Sequence, residues 1–343
     1  MAHSTTLATL VTTAALRDDV DLESALAPVR DELAGLADRL VSQLPSQVRE
    51  IPEAARHLFG SGGKRVRPAL FLLSSRLVGY QGGHRLALAT ACEYVHTASL
   101  LHDDVVDNST LRRGRPTVKS IWGDQTSVLL GDVLCAVVSE QLAASGRLDI
   151  VMSFARVMKR MGEGELMQLA HLFDAGLEEK TYLEILACKT ASLMAISCAA
   201  AAMVADAGEE KIRALEAFGH AVGMAFQLID DALDYNGLQE TVGKPTGSDL
   251  LQGQVTLPLI RLLSTVGGAE RSFLCGVLEK GQPSRIDIDK VVELVKLHRT
   301  DQATMDMAEE YTGLAMSALD YFAPGPEREN LTRLAVALTR RRR

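Results

Sequence analysis

Leu100-Leu101-His102-Asp103-Asp104-Val105-Val106-Asp107 sets three carboxylates inside an otherwise apolar run. On a helix, Asp103 and Asp107 stand one turn apart on one face, with Asp104 beside them. Like charges at that spacing repel, so something must offset them. A hard divalent cation does so. Mg²⁺ suits best, because it takes one or two carboxylates and fills its other positions with water and phosphate oxygens. Leu228-Ile229-Asp230-Asp231-Ala232-Leu233-Asp234 repeats the spacing at the end of the apolar run from Ala221 to Ile229. One D-D-x-x-D is compatible with a solvated acidic patch. Two of them, each among aliphatics and each followed by basic or Gly-rich segments, point to metal-bound phosphate chemistry.

The rest of the chain bounds the fold. At 343 residues it has ample length for a core, and with 47% hydrophobic but only 4% aromatic residues it favours packed helices over an aromatic-rich β-sandwich. The formal charge of −8 argues against non-specific nucleic-acid binding, so clustered Lys and Arg beside the Asp motifs need a local anion. The five cysteines show no C-x-x-C spacing and read as thiols of a reducing compartment, the cytoplasm. No charge-free apolar run reaches membrane-spanning length, and the first 16 residues lack a basic n-region. Residues 1–20 read as a loose N-terminal segment, 21–338 as one all-α domain and 339–343 as a basic tail. Arg340 to Arg343 allow at most peripheral contact with anionic lipid. Apolar residues at helical spacing predict helices over Leu22–Leu44, Ile51–Phe59, 85–107, Ser127–Ala144, Ile150–His171, Thr181–Ala205 and Ala214–Tyr235, among others.

Further segments fall into place around the two motifs. Gly62-Gly63-Lys64-Arg65-Val66-Arg67-Pro68 is a Gly-rich basic loop ahead of a helix, able to bring backbone and charge to an anion. Arg112-Arg113-Gly114-Arg115-Pro116 follows the first Asp motif, Lys189-Thr190 sits in a long apolar helix, and Phe226-Gln227 leads into the second motif. Gly243-Lys244 runs on through Thr256-Leu257-Pro258. In order and spacing, from about residue 60 to 260, the chain resembles the all-trans polyprenyl diphosphate synthases of the farnesyl diphosphate synthase superfamily.

That resemblance implies a single large helix bundle around a central cavity, of isoprenoid synthase type, and a homodimer. It implies about three Mg²⁺ ions, or Mn²⁺ in their place, on Asp103, Asp104, Asp107, Asp230, Asp231 and Asp234. Isopentenyl diphosphate falls to Lys64, Arg67, His96 and Arg113, and the allylic prenyl diphosphate to Arg112, Lys189 and Lys244. Metal on the leaving diphosphate acts as a Lewis acid, and oxygens of Thr190 and Gln227 stabilise the allylic cation. Asp132, Glu165 and Gln168 match positions that are polar in the family. A lysine buried at 189 needs an anionic partner, and the allylic diphosphate would supply one.

Product length is read from the residues ahead of Asp103. Short-chain relatives carry bulky aromatics there; Ala98 and Ser99 are small. Phe154 lies roughly 16 Å along its helix from Glu165 and is a candidate tunnel floor, with Met158 and Met152 as alternatives. The expected product is of octaprenyl type, a quinone side-chain precursor. Shorter farnesyl or geranylgeranyl synthesis is the alternative. Gln254 stands where the family has lysine, which raises a third reading, a regulatory prenyl-synthase-like subunit. A class I terpene cyclase would lack both the Gly-Gly-Lys-Arg loop and the second D-D-x-x-D.

Overall fold

The computed structural model describes residues 21–60, 63–112, 114–236 and 246–339. Among them the only strands are Leu111–Arg112 and Arg115–Pro116; the remaining regular elements are helices, as the all-α reading expects. Expected and observed helices agree in place, with two informative differences. The expected Leu22–Leu44 helix is broken into Leu22–Leu26, a 3₁₀ turn at Ala27–Val29 and Arg30–Ser42. Pro28, which offers no N–H and crowds the preceding turn, sits at the break. The expected Thr181–Ala205 helix is interrupted by a π turn at Ala187–Ala191, between Glu179–Leu186 and Ser192–Val204.

The chain divides into two compact units. The first holds the described residues up to Arg156, with Leu193–Gly219 and Ala315–Leu338. Its centre is the Val66–Leu77 helix, in which Ala69 to Leu73 are all fully buried, as a helix apolar on every side must be. Arg85–Val106 packs between this helix and Asp124–Ala144. Ser127 Oγ donates to the Leu101 carbonyl at 2.9 Å, and the His102 ring lies over Gly131, where a Cβ would collide with it. Tyr94, fully buried, donates to the Leu40 carbonyl at 2.8 Å and meets Phe59 edge-on at 5.6 Å. These contacts fix the helix that ends in the first Asp motif.

The second unit holds Val157–Ser192 and His220–Leu314. Its core gathers Leu228, Tyr235, Leu257, Leu262, Val291 and Val295, among others. Glu179–Leu186 packs on Leu257–Thr265, which packs in turn on Arg285–Leu297. Arg261 clamps this layer: it pairs with Glu179 at 3.0 Å and donates to the Ala303 carbonyl at 2.6 Å. The second Asp motif rides on the C-terminal part of Glu209–Asn236.

Among the described residues, two helices have the length and apolar character of a membrane span. Glu179–Val204 is almost wholly buried within the protein, so its apolarity is that of a core helix. Asp124–Ala144 is mostly uncovered and exposes Val128 and Leu129.

Candidate active site

In the first unit the Asp motif is split by burial. Asp104 is only 4% exposed, while Asp103 and Asp107 are half-buried. Arg112 accounts for Asp104: its Nε and Nη2 both donate to Oδ1, at 3.0 and 2.9 Å. A buried carboxylate without such donors would be costly. The segment expected as a loop doubles back, with Leu111 opposite Pro116 and Arg112 opposite Arg115. Gly114 takes φ +73° to make the turn, a conformation open to glycine at no steric cost. This return carries Arg112 onto Asp104. Two of its donors are thereby committed to the protein rather than to substrate.

The basic loop has an internal anchor that the sequence reading missed. Arg65 sits in the left-handed region at φ +44°. Its guanidinium pairs with Glu93 at 2.5 Å, donates to the Phe59 carbonyl at 2.9 Å and lies 5.6 Å from the Phe59 ring centre. Lys64, exposed, and Arg67, half-buried, flank it in the chain. His96 is half-buried one turn from Ser99, whose hydroxyl donates to the His96 carbonyl at 2.9 Å. Ala98 and Phe154 are buried. Met152 is 45% exposed and so is no buried floor. Burial pushes the thiols of Cys92 and Cys198 up to about 12.

In the second unit the π turn presents Lys189 and Thr190. Glycines on two helices let it approach closely. A Cβ on Gly164 would lie 2.7 Å from the Cys188 Cβ, and one on Gly223 would lie 2.6 Å from the Ala191 Cα. Lys189, expected to need an anion, has one within the protein: it pairs with Glu165 at 2.5 Å and donates to Gln168 Oε1 at 3.0 Å. Glu165 and Gln168 are thus direct partners of the lysine. Thr190 donates to Gln227 Oε1 at 3.1 Å, and Gln227 Nε2 donates to Asp231 Oδ1 at 2.8 Å. Tyr182 donates to the other oxygen of Asp231.

Asp231 is 3% exposed. Its carboxyl is pushed up to about 7, chiefly by burial and then by Asp230 and Asp234, against the lowering effect of the Tyr182 and Gln227 hydrogen bonds. Burial, and then Asp231, hold the Tyr182 hydroxyl well above the ordinary tyrosine range. Asp234 accepts from the Ser248 amide and hydroxyl at 3.1 and 2.7 Å and from the Asp249 amide at 3.2 Å. It therefore caps the short Ser248–Leu251 helix. Gln254 is half-buried, and its backbone amide donates to the Asp249 carbonyl at 2.9 Å. Arg113 and Lys244, to which the resemblance gives diphosphate contacts, lie outside the described residues, as do residues 1–20 and Arg340 to Arg343.

Among the described residues no three His, Cys, Asp or Glu side chains form a metal-holding cluster. The donor set nonetheless fits a diphosphate-bound Mg²⁺, which draws few ligands from protein and the rest from water and phosphate. The two motifs agree in design. In each the second aspartate is buried and held by protein donors, Asp104 by Arg112 and Asp231 by Tyr182 and Gln227. Asp103, Asp107 and Asp230 are half-buried.

The sequence profile of the polyprenyl synthetase family matches residues 48–295. The chain belongs to that family. This polyprenyl synthetase is a trans-prenyltransferase. It is 33% identical over 316 residues to the octaprenyl diphosphate synthase of Escherichia coli (strain K12), a match that covers 92% of this chain and 98% of that protein. It is 34% identical over 321 residues to heptaprenyl diphosphate synthase component 2 of Geobacillus stearothermophilus, covering 93% and 99% of the two chains. Among solved structures it is similar to a polyprenyl synthase from Caulobacter crescentus CB15, complexed with calcium and isoprenyl diphosphate. That pair gives a TM-score of 0.90 at 37% identity, with 95% of this polyprenyl synthetase and 99% of that chain covered. The all-α isoprenoid synthase fold is thus shared along nearly the full length.

Proposed function

We propose that this enzyme condenses isopentenyl diphosphate head-to-tail with an allylic diphosphate, dependent on Mg²⁺, and builds a long all-trans chain of octaprenyl type, a quinone side-chain precursor. The observation that carries the reading is the hydrogen-bonded set Thr190–Gln227–Asp231 beside the Lys189–Glu165 pair. It places two neutral oxygens and a lysine next to the second aspartate motif. That is the chemistry asked for by a cation formed beside a departing diphosphate.

Asp103, Asp107 and Asp230, the half-buried members of the two motifs, would hold divalent metal. Asp104, Asp231 and Asp234, engaged by protein donors, fix the backbone and side chains around them. Divalent metal, when bound, neutralises the leaving diphosphate as its C–O bond breaks. Lys189 exchanges Glu165 for the allylic diphosphate, and the Thr190 and Gln227 oxygens lie along the path of developing positive charge. Lys64, Arg67, His96 and Arg113 anchor isopentenyl diphosphate, with Arg112 and Lys244 on the allylic partner. The calcium and isoprenyl diphosphate of the Caulobacter neighbour, and the octaprenyl and heptaprenyl names of the relatives, support this assignment. Ala98 and Ser99 leave the hydrocarbon path open near its start, and Phe154 ends it.

The enzyme works as a homodimer in the cytoplasm. Val128 and Leu129, the latter 63% exposed on a largely uncovered apolar helix, support the dimer. Five unpaired thiols support a reducing compartment. Sedimentation should give a dimer, and Leu129→Glu a monomer.

A product assay tests the activity. Protein, Mg²⁺, labelled isopentenyl diphosphate and farnesyl diphosphate are incubated, and the dephosphorylated products are sized by chromatography. A ladder ending near octaprenyl, lengthened by Phe154→Ala, supports the reading. Products stopping at geranylgeranyl select the shorter-chain alternative. No incorporation, restored by Gln254→Lys, assigns the silence to the missing charge. Silence in both proteins favours a subunit that acts with a catalytic partner, a reading that the component 2 relative keeps in view.

A further inference from the structure

Tyr182 has no part in the chemistry assigned so far, yet it ends the chain of hydrogen bonds that runs through the second aspartate motif. It is 3% exposed and lies in Glu179–Leu186, the helical segment that leads into the π turn. Its hydroxyl donates to Asp231 Oδ2. Gln227 Nε2 donates to Asp231 Oδ1 at 2.8 Å, and Thr190 Oγ1 donates to Gln227 Oε1 at 3.1 Å. Four side chains from two helices and the π turn therefore form one series, in which Thr190 donates to Gln227 while Gln227 and Tyr182 both donate to Asp231.

These directions have a physical origin. Asp231 accepts from Tyr182 at Oδ2 and from Gln227 at Oδ1, so Gln227 turns its NH₂ toward Asp231. Its carbonyl oxygen then faces Thr190, and Thr190 must spend its single hydroxyl proton on that oxygen. The lone pairs of Thr190 are left uncommitted by this series.

We propose that Tyr182 is a positioning residue. By supplying the second donor to Asp231, it locks the carboxylate and hence the Gln227 amide, and so keeps the Thr190 oxygen electron-rich toward the allylic cation. This rests on the role given above to Thr190. Without the tyrosine hydroxyl, one oxygen of a buried carboxylate lacks its donor. The carboxylate is then free to rotate, and the amide loses its fixed orientation.

Tyr182→Phe removes one oxygen and keeps the ring that fills the core. Three quantities are measured on wild type and variant: turnover with saturating allylic and isopentenyl diphosphates, KM for each substrate, and the melting temperature. A hydrogen bond to a charged group is typically worth about 10- to 100-fold in an equilibrium or a rate. We expect a loss of that size in kcat, with KM for isopentenyl diphosphate unchanged. In a Thr190→Val background, Tyr182→Phe should cost little more, because the group it orients is already gone. Multiplicative losses in the double variant would overturn the proposal. So would a fall in melting temperature with kcat retained, which is the mark of a purely structural hydroxyl. A wild-type enzyme that makes no prenyl product would instead refute the function itself. In that case a crystal structure of Tyr182→Phe decides the positioning claim: unchanged Asp231, Gln227 and Thr190 side chains would refute it.

Discussion

Replacing Glu93 by glutamine should destabilise the first unit by about 3 kcal/mol. Glu93 and Arg65 are 8% and 10% exposed in their side chains and meet at 2.5 Å. Glutamine has nearly the volume of glutamate, so no cavity opens, and the loss is that of the charge alone. Breaking a buried ion pair from one side costs about 3–5 kcal/mol, because the remaining charge stays desolvated. The lower end applies, since Arg65 retains the Phe59 carbonyl and the face of the Phe59 ring. For a unit of this size, 1 kcal/mol corresponds to about 2–4 °C in melting temperature. The transition of the first unit should therefore fall by about 6–12 °C. Scanning calorimetry of the metal-free protein resolves it. The double variant Arg65→Met, Glu93→Met removes both charges and should recover most of the loss, because an apolar pair needs no solvation. A double variant as unstable as Glu93→Gln would refute the argument from buried charge. Arg65 also holds the backbone between Lys64 and Arg67, so Glu93→Gln should raise KM for isopentenyl diphosphate.

Other parts of the site make equally sharp tests. Glu165→Gln removes the anion that competes for Lys189, so KM for the allylic diphosphate should fall a few-fold; a rise would exclude the exchange of partners. Asp231 gives a pH dependence of definite sign. Its carboxyl titrates near 3.8 when unfolded and at about 7 when buried, so between those values the folded state binds the extra proton. Stability of the metal-free protein should then fall as pH rises from about 4 to about 7 and level off above. Asp231→Asn should flatten that slope in a comparison of melting temperature against pH. Gly223→Ala sets a Cβ 2.6 Å from the Ala191 Cα. It should cost about 1–3 kcal/mol and depress kcat more than either KM, read from calorimetry and steady-state kinetics.

The residues legible in the sequence were those whose chemistry imposes local spacing. Asp103, Asp104 and Asp107 share a turn because a helix repeats every 3.6 residues, and Lys189 was conspicuous as a charge in an apolar run. Partners distant along the chain were not legible. Glu93 lies 28 residues from Arg65, and Asp231 lies 49 from Tyr182; nothing in either neighbourhood announces the other. Glu165 was read as polar but not as the counter-ion of Lys189. Asp234 reads as a metal ligand by spacing, and only the return of the chain at Ser248 shows it to be a helix cap. The π turn was hidden for a related reason. Ala187 to Ala191 have ordinary helical residues, and it is the missing side chains of Gly164 and Gly223, on other helices, that make room for it.

A π turn closes its hydrogen-bonded ring around one more residue than an α turn does. Ala187–Ala191 therefore stores a surplus residue in the middle of a core helix, the place where most proteins tolerate length changes least. Deleting one residue there lets the ring contract to the α form, with the helices on either side keeping their register. The same contraction withdraws Lys189 and Thr190 from their partners. Shape and chemistry are thus separable at this point by a single codon: the shortened chain would serve as a folded but silent twin of the enzyme, a control that no substitution of a charged residue provides.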